Sequence, residues 1–199
     1  MAGRVLGVLL AGGLARRMGG GDKPLRLLAG RPLLDHVLGA IRPQVDALVL
    51  NANGDAARFA AYGLPVVADP LPDHPGPLVG ILAGMRRAQA LGMEDVLSVA
   101  TDTPFLPPDL ASRLDAARHA AGVPIACAAS GGWTHPVIAL WPAALADALE
   151  AALLAGMRKI DAWTEGQGIA HAAFAGMPDR FFNANSPDDL AEAERLLAV

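Results

Sequence analysis

The residues best suited to chemistry gather near the start of the chain, in "VLGVLLAGGLARRMGGGDKPL" over Val5–Leu25. An apolar run breaks at Gly12 and Gly13, passes Arg16 and Arg17, breaks again at Gly19, Gly20 and Gly21, and then presents Lys23. Glycines let a backbone approach a ligand closely and adopt conformations closed to other residues. Successive N–H groups in such a loop can line an anion nest, and Arg17 and Lys23 add mobile cations suited to phosphate oxygens. A merely flexible turn is the plain alternative, but it leaves the cations and the preceding strand unexplained. The spacing matches neither G-x-G-x-x-G nor G-x-x-x-x-G-K-[ST].

Positioning such a loop requires a rigid frame, and the sequence offers one. Short apolar runs predict strands at Arg4–Leu10, Asp46–Asn51, Leu64–Ala68, Asp95–Ala100, Val123–Ala129 and Pro136–Leu140. Between them, helical patterns cover Pro32–Arg42, Asp55–Tyr62, Leu78–Leu91, Pro108–Ala121 and Pro142–Ala155, with Pro108 and Pro142 where a first helical turn tolerates proline. Near-continuous apolar strands separated by helices predict an α/β fold: one Rossmann-like domain over residues 1–199, with a mostly parallel sheet flanked by helices on both faces. "ASGGWTHPVIAL" reads differently, as an antiparallel hairpin addition turning at Gly131–Gly132. The last quarter predicts a helix near Met157–Trp163, a strand at Ile169–Phe174 and a final helix capped by Ser186. In such sheets ligands bind beyond the carboxyl ends of the strands. That rule gathers Gly12–Lys23, Asn51–Asn53, Asp69 and Thr101–Asp102 at one rim.

Composition bounds the function classes. At 53% hydrophobic and 18% charged residues, the 199-residue chain can bury a substantial core. A formal charge of −4 argues against a general nucleic-acid binder. The single cysteine, Cys127, lies in the apolar run "VPIACAA" and reads as a buried, inert thiol. No apolar stretch reaches the roughly 18–20 residues of a membrane span. The expectation is a cytoplasmic protein with neither membrane nor nucleic-acid partners. His36, His74, His119 and His171 lack metal-ligand spacing, so no zinc site is expected.

"LAGGLARRMGGGDKPL" resembles the signature of nucleotidyltransferases that move an NMP from an NTP, and among them the molybdenum cofactor guanylyltransferases. The resemblance continues in order through "VLNANGD", "VVADPLPDHPGPLVGILAGM", "ATDTPFLPPDLASRL", "HPVIAL" and "FFNANSPDDL", spanning essentially the whole chain. It implies transfer of GMP from GTP to the terminal phosphate of molybdopterin, with Mg²⁺ as cofactor and pyrophosphate as the leaving group. It also implies transient contacts with cofactor-insertion proteins and apo-molybdoenzymes. By motif position Leu10, Ala11, Gly12, Lys23, Asn51, Asp69 and Asp102 become nucleotide contacts, with Asp102 also the metal ligand; Gly13, in the same glycine loop, is a further expected nucleotide contact. Lys23, Asp102 and Arg17 are the expected catalytic groups. The third glycine, Gly21, and Ser186 in a place often held by Thr are small departures from the pattern.

The remaining candidates carry competing readings. A carboxylate can accept from both N1–H and the 2-amino group of guanine, which assigns Asp69 to base selection. Gly76 and Gly80 either let the backbone approach base or ribose, or only shape the turn around Pro75 and Pro77. Asn183 and Asn185 either serve the acceptor and metal or cap the helix that follows, and His135 either meets the pterin or is structural. Arg158 and Lys159 either contact the anionic cofactor or form a solvated face. Two rival functions stay open: a molybdenum cofactor cytidylyltransferase, against which "LAGG" rather than "LAAG" at Leu10–Gly13 argues, and a non-catalytic binding or delivery protein, against which the joint presence of Lys23 and Asp102 argues.

Overall fold

A computed structural model describes residues 3–12, 22–71, 76–176 and 179–197. The strands are β1 (Val5–Leu10), β2 (Leu27–Leu28), β3 (Arg31–Pro32), β4 (Ala47–Asn51), β5 (Val66–Val67), β6 (Asp95–Ala100), β7 (Ile125–Ser130), β8 (Trp133–Pro142) and β9 (Ile169–Ala173). The α-helices are α1 (Leu33–Ile41), α2 (Pro77–Ala90), α3 (Leu110–Ala121), α4 (Ala146–Leu154), α5 (Ile160–Gln167) and α6 (Pro187–Leu197). Seven strands form one sheet in the order β5-β4-β1-β6-β8-β7-β9. Neighbours β5, β4, β1 and β6 are parallel, β8 runs antiparallel to both β6 and β7, and β9 is parallel to β7.

Alternation along the strands divides the core between two faces, as period-two side-chain geometry requires. Leu9, Leu50, Leu97, Val99 and Ala126 pack with Leu34, Val37 and Ile41 of α1 and Leu110 and Leu114 of α3. Leu6, Val8, Val49, Val96 and Cys127 face the other way, against Leu78, Ile81, Leu82 and Met85 of α2, Leu149 and Leu153 of α4, and Trp163 of α5. The expected mostly parallel sheet with helices on both faces is therefore present. A smaller cluster of Leu28, Leu33, Phe105, Ala184 and Ala193 ties the β2–β3 hairpin to α6.

Several elements differ from expectation for physical reasons. The hairpin of "ASGGWTHPVIAL" forms, but β8 does not sit at an edge. It is the interior partner of β6 and β7, and it runs on to Pro142 because its apolar residues through Trp141 are buried on the sheet. The following helix consequently starts late, through a 3₁₀ turn at Ala143–Leu145. Residues Ala56–Tyr62 form a 3₁₀ helix, capped by the Asp55 side chain on the N–H of Ala57 at 2.9 Å, rather than an α-helix. The helix expected at Met157–Trp163 begins only at Ile160, because Arg158 turns back to donate to the Leu153 and Met157 carbonyls at 3.0 and 2.7 Å. The β2–β3 hairpin, at two residues per strand, carries no periodic signal to detect.

Candidate active site

Register builds the site's floor. Leu10 pairs with Asn51 on one side and Ala100 on the other, and Asn51 pairs with Val67, so four parallel strands end level at one rim. Past that rim the Ala11 N–H donates to the Asn51 carbonyl at 2.9 Å, and the Thr101 hydroxyl donates to the Leu10 carbonyl at 3.1 Å. Gly12 is exposed, and a Cβ there would meet nothing within 4 Å. The chain therefore leaves β1 with its backbone open to an incoming ligand. Gly13 and Arg17 lie outside the described residues.

Lys23 and Asp102 meet at this rim. The Lys23 ammonium forms an ion pair with Asp102 Oδ2 and donates as well to Asn185 Oδ1. Their side chains are only 12% and 20% exposed, so bulk water does not fully screen the pair. The "NANS" segment is held here by its backbone, with the Ala184 N–H donating to the Asp102 carbonyl at 2.9 Å. Thr103, fully buried, donates its hydroxyl to Asn183 Oδ1 at 2.9 Å. Helix α6 is capped reciprocally: the Asp189 N–H donates to Ser186 Oγ at 3.2 Å, and the Ser186 and Asn185 N–H groups donate to Asp189 Oδ2 at 2.8 Å each. The cap uses the Asn185 backbone and leaves its side-chain oxygen for Lys23.

A second group stands beyond β4 and β5. Asn51 Nδ2 donates to Asp69 Oδ1 at 2.9 Å, and Asn53 Nδ2 to Asp69 Oδ2 at 2.6 Å. The Asp69 N–H in turn donates to Asn53 Oδ1 at 2.9 Å. Each carboxylate oxygen is thereby oriented by an amide yet keeps acceptor capacity. Arg58 donates to the Asn53 carbonyl at 2.7 Å and pairs with Asp22 Oδ1 at 3.4 Å, which links this group to the segment carrying Lys23.

Glycines set the clearance of α2. A Cβ on buried Gly80 would stand 2.2 Å from Asn51 Oδ1 and 2.8 Å from Leu10. The close approach at Gly80 in the structure is made to Asn51 inside the protein. Gly76, at φ 124° before Pro77, opens the helix with its amino end toward the strand carboxyl ends, an orientation that favours anions.

On the other side of Asp102, a cavity of about 310 Å³ is lined by Ala100, Asp102, Thr134, His135, Pro136, Val137, Ile138, Asn183 and Asn185. Three of the acceptor candidates, Asn183, Asn185 and His135, therefore share one hollow with Asp102. Burial holds the His135 imidazole below the usual histidine range, opposed by Asp179. Cys127 is buried as expected, and burial pushes its thiol up to about 11. A larger cavity of about 440 Å³ opens at the opposite end of the strands beside Asp46, Asp95 and Asp115. Its acids are already engaged: Arg118 forks onto Asp95 at 2.6 and 2.7 Å and reaches Asp115, and Asp46 accepts from the Val5 N–H.

The donor set at Asp102 suits a hard divalent cation. One ammonium bonds a carboxylate and an amide oxygen at once, so two hard oxygens converge on a cation-sized point. Among the described residues no group of three or more His, Cys, Asp or Glu side chains could hold a metal. A metal here would lean on substrate oxygens and water, the usual habit of Mg²⁺.

Sequence reasoning missed Thr103 and Arg58 as parts of this arrangement, whereas Asn53 falls in the segment it gathered at the rim. Thr103 was detectable as the second threonine flanking Asp102 in "TDT"; Arg58, on a surface 3₁₀ turn, offered no signal. Among the described residues no helix is long and apolar enough to cross a membrane.

Known proteins resemble this chain along nearly its whole length. A MobA-like NTP transferase domain matches residues 7–171. The chain is 55% identical over 199 residues to the molybdenum cofactor guanylyltransferase of Bradyrhizobium sp. (strain ORS 278), covering 98% of this chain and 94% of that one. It is 52% identical over 197 residues to the molybdenum cofactor guanylyltransferase of Nitrobacter hamburgensis, covering 97% and 94%. The crystal structure of molybdopterin-guanine dinucleotide biosynthesis protein A from Archaeoglobus fulgidus superposes with a TM-score of 0.80 at 27% identity, covering 97% of this chain and 98% of that one.

Proposed function

We propose, from the premise that this chain belongs to the molybdenum cofactor guanylyltransferase family of MobA-like NTP transferases, that it transfers GMP from GTP to the terminal phosphate of molybdopterin. The observation that carries this reading is the convergence of Lys23, Asp102 and Asn185 beside a cavity of about 310 Å³. The acceptor phosphate oxygen forms a bond to the α-phosphorus of GTP, the α–β bridging P–O bond breaks, and pyrophosphate leaves with the bond's electrons. Because the attacking phosphate is already anionic, no side chain has to remove a proton.

The roles of individual residues follow from their positions. The backbone at Leu10–Gly12 approaches the nucleotide, with Gly13 and Arg17 assigned to its phosphates by the chemistry of the glycine loop. Lys23 leaves Asp102 to stabilise the α-phosphate and the departing pyrophosphate, a purely electrostatic contribution of the kind that dominates such transfers. Asp102 and Asn185 would hold Mg²⁺, which neutralises charge on the phosphates when bound. Asp69, oriented by Asn51 and Asn53, accepts the paired donors of guanine. Asn183 and His135 face the acceptor. Incubation of the enzyme with molybdopterin, Mg²⁺ and either GTP or CTP tests the reading by the mass of the product. The guanine dinucleotide is expected from GTP. Equal or better product from CTP overturns the donor assignment, and no product from either overturns the enzyme.

A further inference from the structure

From His135, on the wall of the acceptor cavity, a hydrogen-bond chain runs to Ser130 and Asp179, which line a neighbouring hollow and which the proposed transfer does not use. Ser130 Oγ lies 2.8 Å from His135 Nε2 and 2.9 Å from Asp179 Oδ1. A hydroxyl carries one proton, and an ionised carboxylate can only accept. The Ser130 proton therefore goes to Asp179, and Ser130 must accept from His135, which puts the imidazole proton on Nε2. Asp179 is itself fixed, because its Oδ1 also accepts from the Phe181 N–H at 3.1 Å. The imidazole packs on the Phe181 ring with centroids 4.7 Å apart, so its orientation is held from a second side. Among the described residues Nδ1 has no hydrogen-bond partner, and burial keeps the ring neutral by opposing its charged form.

We propose that Ser130 and Asp179 are positioning residues that lock His135 as the neutral Nε2–H tautomer, so that Nδ1 offers the acceptor cavity a fixed lone pair that selects a substrate presenting a ring N–H or amino donor. This inference rests on the proposed transfer and deepens it, since a pterin carries such donors whereas a bare ionised phosphate carries none. The alternative tautomer would place a donor at Nδ1 and turn the same ring against that substrate edge. The site reads the acceptor's heterocycle at His135, while Lys23 and Asp102 handle its phosphate chemistry on the neighbouring rim.

Two measurements on the full-length enzyme test the lock. Long-range ¹H–¹⁵N correlation at pH 7 should show His135 neutral, with a protonated Nε2 and a bare Nδ1. Steady-state kinetics of Ser130→Ala should show the KM for molybdopterin raised about five- to tenfold, the effect of one lost hydrogen bond, with the KM for GTP and kcat nearly unchanged. Ser130→Thr keeps the hydroxyl and should restore the native KM, which a fold defect in the alanine variant would not allow. A charged ring, an Nδ1–H tautomer, or an unchanged acceptor KM in Ser130→Ala overturns the inference while leaving guanylyl transfer standing. A native enzyme that transfers nothing to molybdopterin overturns both.

Discussion

The Lys23 ammonium is bonded to the Asp102 carboxylate across 79 positions of sequence, and the same ammonium holds Asn185 Oδ1 from 162 positions away. Lysine thus sits on the two oxygens that a divalent cation would take. On the proposed reading cation and ammonium would compete for these oxygens, and the phosphates of an incoming nucleotide would draw the lysine off.

Lys23→Ala should separate metal binding from catalysis. Removal of the ammonium frees Asp102 and Asn185, so Mn²⁺ should bind the nucleotide-free variant more tightly than the native protein. Turnover should fall about 10²- to 10³-fold, the loss typical of one electrostatic donor. Paramagnetic titration of Mn²⁺ checks the first outcome and pyrophosphate release the second.

Asp69→Asn should weaken the use of guanine specifically. The substitution replaces one acceptor oxygen by a donor while keeping the shape, so kcat/KM for GTP should fall about 10- to 100-fold. The GTP-to-CTP preference should narrow in the same variant. Unchanged GTP kinetics would remove Asp69 from base selection.

Gly80→Ala and Gly84→Ala form a matched pair. Each new Cβ would stand 2.2 Å from a neighbour, Asn51 Oδ1 in the first case and Val8 Cγ2 in the second. Both should destabilise by about 1–3 kcal/mol through overpacking. Only Gly80→Ala displaces Asn51, so only that variant should raise the KM for GTP. Thermal melts and nucleotide titrations read the two effects separately.

Cys127 should be chemically silent in the folded protein. Burial raises its pKa to about 11, so at pH 8 only about one thiol in a thousand is ionised. Alkylation at pH 8 should therefore be slow until denaturant is added, and transfer activity should survive thiol reagents.

The parts of this molecule that were legible in the sequence are those fixed by local pattern. β6 was read to the residue, and β1 and β4 to within one, because each is a short apolar run ended by a polar or glycine break. The meeting of Lys23 with Asp102 followed from the rule for strand carboxyl ends. Ser186 was legible as a cap because Asp189 stands three residues beyond it. What stayed hidden depends on tertiary neighbours. The interior place of β8 follows from pairing on both its edges, which a hairpin signal does not encode. The need for Gly80 comes from Asn51 on a distant strand, and the Ser130–His135–Asp179 chain joins a hairpin to a loop 49 positions from Ser130.

The most direct test is a double-mutant cycle on Mg²⁺-dependent pyrophosphate release from GTP, with molybdopterin as acceptor. If Lys23 and Asp102 serve one triphosphate, Lys23→Ala and Asp102→Asn each lower kcat by about 10²-fold or more, and the double variant is scarcely slower than the worse single one. Native rates in either single variant, or losses that simply multiply in the double variant, would contradict the account.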